Sequence, residues 1–73
     1  MITVYSKNAC TKCQQAKMFL DIKGVEYEVK MLGVDYELEE AKTLAPQQRE
    51  FPVVLEDGVL VGGLEKLKVH LNK

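Results

Sequence analysis

Asp57-Gly58 is the feature that most narrows the folds open to this chain. The dipeptide separates Pro52-Val53-Val54-Leu55-Glu56 from Val59-Leu60-Val61, two short runs rich in β-branched residues. A two-residue connection between strands can only be a hairpin, so this pair must be antiparallel. Nearer the start, Ile2-Thr3-Val4-Tyr5 reads as a strand, and Val25-Glu26-Tyr27-Glu28-Val29-Lys30-Met31 alternates with period two and reads as another. Between them, Thr11 to Lys23 has helical spacing. Ala16, Phe19 and Leu20 fall at i, i+3 and i+4 on one face, Gln14, Lys17 and Asp21 lie toward water, and Gly24 stands where a left-handed cap is expected. A strand–helix–strand crossover makes its two strands parallel and its connection right-handed. One sheet holding both pairs must be mixed.

Gly33 and Asp35 break the second strand. Asp35 is the expected N-cap of a second helix, with Glu37, Glu39 and Glu40 near its positive end and Pro46 ending it after Leu44 or Ala45. Gln47-Gln48-Arg49-Glu50 reads as loop. Gly62-Gly63 opens a last helix with a stripe of Leu64, Leu67 and Leu71. The expected architecture is α/β, order β-α-β-α-β-β-α, a mixed four-stranded sheet with three flanking helices in a single domain, residues 1–73.

Composition excludes several function classes. No apolar run among the 73 residues approaches the roughly 20 that a bilayer span needs. Met1 to Tyr5 is too short and too alternating for a signal-peptide core. Ten basic and eleven acidic residues are dispersed, with a net charge of −1. Nucleic-acid binders concentrate Lys and Arg on one face, and here the densest cluster, Glu37-Leu38-Glu39-Glu40, is acidic and reads as a solvated helix face. The expectation is a cytoplasmic monomer with no nucleic-acid or membrane partner.

Cys10 and Cys13 are the only cysteines. A bridge between residues three apart restricts little unfolded-state entropy, so the pair is poorly placed as a structural staple. Its position points to chemistry. Cys10-Thr11-Lys12-Cys13 lies where a strand ends and a helix begins, and free N–H groups there, with the helix dipole, stabilise a thiolate. Lys7 and Lys12 add positive potential. Cys10, at the exposed helix tip, is the expected nucleophile, and Cys13, deeper in the first turn, the resolving thiol. Such exchange needs no cofactor beyond the cysteines. A zinc site would need two further ligands, and His70, between Lys68 and Lys73, is the one soft donor left, so it reads as a helix-end histidine and no metal site is expected. An iron–sulfur cluster shared between chains and an incidental thiol pair are the competing readings.

Tyr5-Ser6-Lys7-Asn8-Ala9-Cys10-Thr11-Lys12-Cys13 resembles the active-site opening of the glutaredoxins, and the resemblance continues through Phe51-Pro52 and Gly62-Gly63. It implies a thioredoxin-like fold in which Pro52 is cis and faces the cysteines. It further implies that the Phe51 backbone pairs with an extended substrate or with glutathione as co-substrate, and that Gly62 and Gly63 admit that ligand closely. Glutathione-using members usually carry an aromatic residue where this chain has Lys12, and an Asp where it has Lys66. A lysine there would repel the glutathione ammonium, and Glu65, one position earlier, is the candidate to offset it.

Arg49-Glu50-Phe51-Pro52-Val53-Val54-Leu55 resembles instead the NrdH redoxins, which look like glutaredoxins and behave like thioredoxins. That likeness implies thioredoxin reductase as electron source and a disulfide-containing protein such as ribonucleotide reductase as partner. The aromatic-Ser-Gly-Phe-Arg-Pro segment usual in that group is replaced here by Val61-Gly62-Gly63-Leu64-Glu65. The short chain is also similar to compact redoxins encoded by some phages. The function expected is thiol–disulfide exchange by a dithiol redoxin. The alternatives are a non-catalytic module that binds a partner through the same groove, and a metal- or cluster-binding glutaredoxin.

Overall fold

Helix α1, Thr11–Lys23, connects strand β1, Ile2–Ser6, to strand β2, Tyr27–Met31. Then follow α2, Leu38–Leu44, strands β3, Val53–Glu56, and β4, Val59–Gly62, and finally α3, Leu64–Leu71. This computed structural model describes residues 1–48 and 50–72. Arg49, expected in a loop, and Lys73 lie outside the described residues. The strands form one sheet in the order β2-β1-β3-β4. As the connections require, β1 and β2 are parallel while β3 is antiparallel to both β1 and β4. Asp57 and Gly58 both take positive φ, 51° and 82°, the combination that matches a two-residue hairpin to the twist of its strands.

Strand alternation divides the core between the two faces of the sheet. Ile2, Val4 and Val54 point to one face and pack with Ala16 and Leu20 of α1 and Leu64 and Leu67 of α3. Tyr5, Val53 and Leu55 point to the other and pack with Tyr36, and with Ala41 and Ala45 from α2 and its end. Central β1 is therefore buried on both sides, whereas the side chains of edge strand β2 are only half-buried or exposed.

Bounds shift by one residue at the end of β1, the start of β3 and the end of β4, and two larger differences from the sequence reading each have a local reason. β2 begins at Tyr27 because the Val25 N–H is used by the end of α1. It donates to the Leu20 carbonyl (3.1 Å) while Gly24, at φ 69°, donates to Asp21 (3.1 Å), the double bond of a left-handed helix cap. Asp35 does not cap α2. Its carboxylate accepts the Met31 N–H at 2.9 Å, closing a turn, and Glu37 stands at the N-cap without a side-chain hydrogen bond. The next residue explains the shift. Tyr36 is buried, pairs with Leu32 as an isolated bridge, and donates its hydroxyl to the Ser6 carbonyl at 2.7 Å. Holding Tyr36 across the end of β1 keeps the chain extended until Glu37.

The Tyr36 ring packs edge-on against Tyr5, with centroids 4.8 Å apart. Burial first, then Tyr5 and Glu40, pushes its phenol up to about 12. A raised folded-state value favours the neutral form, so this contribution to stability is whole below the ordinary tyrosine value of about 10 and drains as pH rises toward 12. Tyr36→Phe should cost about 1 kcal/mol at pH 7, because Ser6 O keeps its bond from Leu32 N–H at 2.9 Å. Denaturant titrations at pH 8 and 11 should show a shallower alkaline decline for this variant than for the parent.

Candidate functional site

The turn Asn8-Ala9 carries the chain from β1 into α1, with Ala9 at φ 55°, a left-handed conformation costly for a residue with a side chain. Cys10 follows in extended conformation as the N-cap of α1. Its carbonyl accepts the Gln14 N–H at 3.2 Å, and its sulfur accepts the Cys13 N–H at 3.2 Å. Sulfur here takes the place of the oxygen that Ser, Thr, Asp or Asn usually supplies to a free helix N–H. The two cysteines are joined as a disulfide, Cα atoms 5.2 Å apart. Cys10 is buried (9% exposed) rather than at an exposed tip, its sulfur being drawn in by the Cys13 N–H and the disulfide, and Cys13 is enclosed further (1%). No acidic residue lies in the first turn of α1.

The two neighbouring lysines each have a partner. Lys7 sits over the Phe51 ring, 5.3 Å from its centroid. Lys12 donates to Glu50 at 2.9 Å, which, with the Glu50 charge and more distantly Glu65, holds its ammonium above its usual value. Both side chains of that pair are more than half exposed, 52% and 73%, so solvent screens it and it adds little to stability. What it does set is the local charge. The Glu50 carboxylate offsets part of the positive potential that Lys12 brings beside Cys10.

The Phe51 ring lies under Lys7, the Phe51-Pro52 peptide bond is cis, and Pro52 is fully buried. The loop is tied by Gln48, whose side-chain amide donates to the carbonyls of Glu50 (2.8 Å) and Pro52 (2.7 Å). Gly62 is at φ 130°, and a Cβ there would lie 2.8 Å from the Lys66 Cβ, so the lysine stem lies directly against the glycine. A Cβ on Gly63 would come within 3.6 Å of the Pro52 carbonyl, which brings the double glycine up to the proline loop. Glu65 stands exposed in the first turn of α3.

Lys12, Phe51, Gly62, Gly63, Glu65 and Lys66 share one open groove of about 720 Å³. Residues from three distant stretches of sequence thus border a single depression, while Lys7, Cys10, Cys13 and Pro52 are not among the residues that line it. His70 is elsewhere, paired with Glu56 of β3, and among the described residues no three His, Cys, Asp or Glu side chains gather as metal ligands. Glu50 and Gln48 escaped the sequence reading. Both occupy a polar loop where nothing in spacing or composition separates them from their neighbours.

The glutaredoxin family model matches residues 2–61. The chain belongs to the glutaredoxin family. Among curated relatives, the glutaredoxin-like protein NrdH of Salmonella typhimurium is 38% identical over 55 residues, 74% of this chain. That match spans 65% of the relative's length. Among solved structures, the Escherichia coli NrdH-redoxin, a glutaredoxin-like protein described by its thioredoxin-like activity profile, superposes with a TM-score of 0.70 at 29% identity. It covers 99% of this chain and 93% of that one. A buckwheat glutaredoxin solved with glutathione gives 0.74 at 28% identity, over 97% of this chain and 68% of that one. The fold is the thioredoxin-like fold of the glutaredoxins, with the mixed four-stranded sheet and three helices expected. Glutaredoxins and NrdH redoxins are thiol–disulfide oxidoreductases with a C-x-x-C pair.

Glu50→Gln removes the acidic partner of Lys12 without shortening the side chain. In the reduced protein the freed ammonium should favour the Cys10 thiolate, raising its alkylation rate at pH 6 several-fold. The denaturation midpoint should stay close to that of the parent, because an exposed, screened pair holds little of the fold together.

Proposed function

We propose that this chain is a dithiol redoxin that reduces protein disulfides with Cys10 as nucleophile and Cys13 as resolving thiol. One observation carries the reading: the Cys10 sulfur is the N-cap acceptor of α1 and the less enclosed of the two (9% against 1% exposed), while Cys13 lies one turn in. The N–H aimed at that sulfur would favour its anion in the reduced protein.

The Cys10 thiolate attacks one sulfur of a substrate disulfide, forming a mixed disulfide and releasing the first substrate thiolate, which takes a proton from water. Cys13 then gives up its proton and attacks the Cys10 sulfur. The Cys10–Cys13 bond forms, the bond from Cys10 to the substrate breaks, and the second substrate thiol leaves. Two electrons and two protons pass to the substrate, and the protein ends as the disulfide. The groove bordered by Lys12, Phe51, Gly62, Gly63 and Glu65 would hold the substrate chain, with Pro52 fixing the Phe51 backbone through its cis bond and Lys7 over the Phe51 ring.

Electrons to restore the dithiol come, on this reading, from thioredoxin reductase rather than glutathione, and the oxidant is a protein disulfide such as that of ribonucleotide reductase. The likeness to the NrdH proteins and the Lys66 stem laid along Gly62 support this choice. An NADPH-coupled assay with insulin as the disulfide tests it. Turnover is expected with thioredoxin reductase and not with glutathione plus glutathione reductase. Cys10→Ser should abolish turnover and Cys13→Ser should accumulate mixed disulfide. Undiminished activity in Cys10→Ser would overturn the assignment, and turnover through glutathione alone would reverse the choice of reductant.

A further inference from the structure

Gln48 lies half-buried between α2 and β3, and both hydrogens of its side-chain amide are engaged. One goes to the Glu50 carbonyl at 2.8 Å and the other to the Pro52 carbonyl at 2.7 Å. Those two carbonyls flank Phe51, which lines the groove. Among the described residues, the Phe51 N–H and carbonyl make no hydrogen bond of their own. Gln48 is itself held from two sides. Its N–H donates to the Ala45 carbonyl at 3.1 Å, and Ala45 is buried in the core at the end of α2. From the other side, a Cβ on Gly63 would come within 3.5 Å of the Gln48 amide nitrogen, so the double glycine packs against the amide. The bond to Glu50 is exposed, and a carbonyl there could bond to water instead, so it adds little to stability. What it does fix is the path of the chain on either side of Phe51.

We infer that Gln48 is a positioning residue for main-chain recognition: by holding the carbonyls of Glu50 and Pro52 it leaves the Phe51 N–H and carbonyl in place to pair with an extended polypeptide substrate. The inference deepens the dithiol reading above and rests on it. Gln48 makes and breaks no covalent bond, and the exchange at Cys10 and Cys13 is the same for every disulfide. The amide contributes preorganisation, which lowers the ordering cost of binding a chain. It therefore separates substrates by whether they carry peptide groups. A disulfide within a polypeptide benefits from a Phe51 backbone already in position, and a small disulfide without peptide groups does not.

Gln48→Glu keeps the shape and the acceptor oxygen and loses both donors, while Gln48→Met keeps the length with neither donor nor charge. Each pre-reduced protein is mixed with insulin, whose disulfides lie in a polypeptide, or with bis(2-hydroxyethyl) disulfide, which has no peptide group. Acid-quenched, alkylated samples give the rate of Cys10–Cys13 reoxidation by mass. In both variants the ratio of the insulin rate constant to the small-disulfide rate constant should fall about tenfold, the effect of losing one or two main-chain hydrogen bonds. The loss should appear as a higher insulin concentration for half-maximal rate, with the maximal rate close to the parent's. A general disturbance of the loop or of the thiols would slow both substrates alike and leave the ratio unchanged. A ratio equal to the parent's in either variant, or a fall confined to the maximal rate, would overturn the inference while leaving the dithiol reading intact. Should the parent reduce neither disulfide, it is the dithiol reading that fails, and this inference with it.

Discussion

One hydrogen bond, from the Cys13 N–H to the Cys10 sulfur, joins the fold to its chemistry. It satisfies a donor that the helix itself leaves free, and so it helps to start α1. It also fixes the sulfur at the positive end of the helix. Ala16 and Leu20, fully enclosed against β1, hold the rest of the helix and keep that end from sliding. Capping oxygens from Ser or Asp would serve the helix as well. Only sulfur serves both helix and electron transfer, and the family pattern places it there.

The electrostatics of the site follow from which charges are free to act. Lys7 is drawn over Phe51, and Lys12 is drawn to Glu50, with Glu65 adding to its environment. Exposed cations paired in this way are weak and are screened within about 10 Å at ordinary ionic strength. The backbone N–H at the Cys10 sulfur is neither paired elsewhere nor mobile. Stabilisation of an anion there therefore depends more on the helix end than on the lysines, whose stronger influence is on what can dock in the groove beside them.

Much of the fold was legible because short-range chemistry decides it. Asp57-Gly58 could only be a hairpin, Gly24 could only cap a helix cheaply, and two thiols at a strand-to-helix junction have few structural uses. Resemblance added the cis bond at Pro52, which spacing alone never reveals. What escaped was set by contacts between distant residues. Asp35 is locally the better helix starter, and the burial of Tyr36 against Ser6 and Tyr5 overrode it, leaving Glu37 at the N-cap without a capping bond. The Lys12–Glu50 pair spans 38 residues of sequence, and the Gln48 amide ties a loop whose path depends on the proline. No periodicity encodes such pairings.

Tyr36 ties the end of β1 to the α2 layer. Its hydroxyl and the Leu32 N–H both donate to the Ser6 carbonyl, and its ring packs edge-on against Tyr5. A buried polar group left unbonded costs about 1–3 kcal/mol, a large share of the stability a domain of this size commands, so these bonds hold the strand end firmly. Where that strand ends decides where the Asn8-Ala9 turn begins, and with it the point at which Cys10 enters α1 as its N-cap.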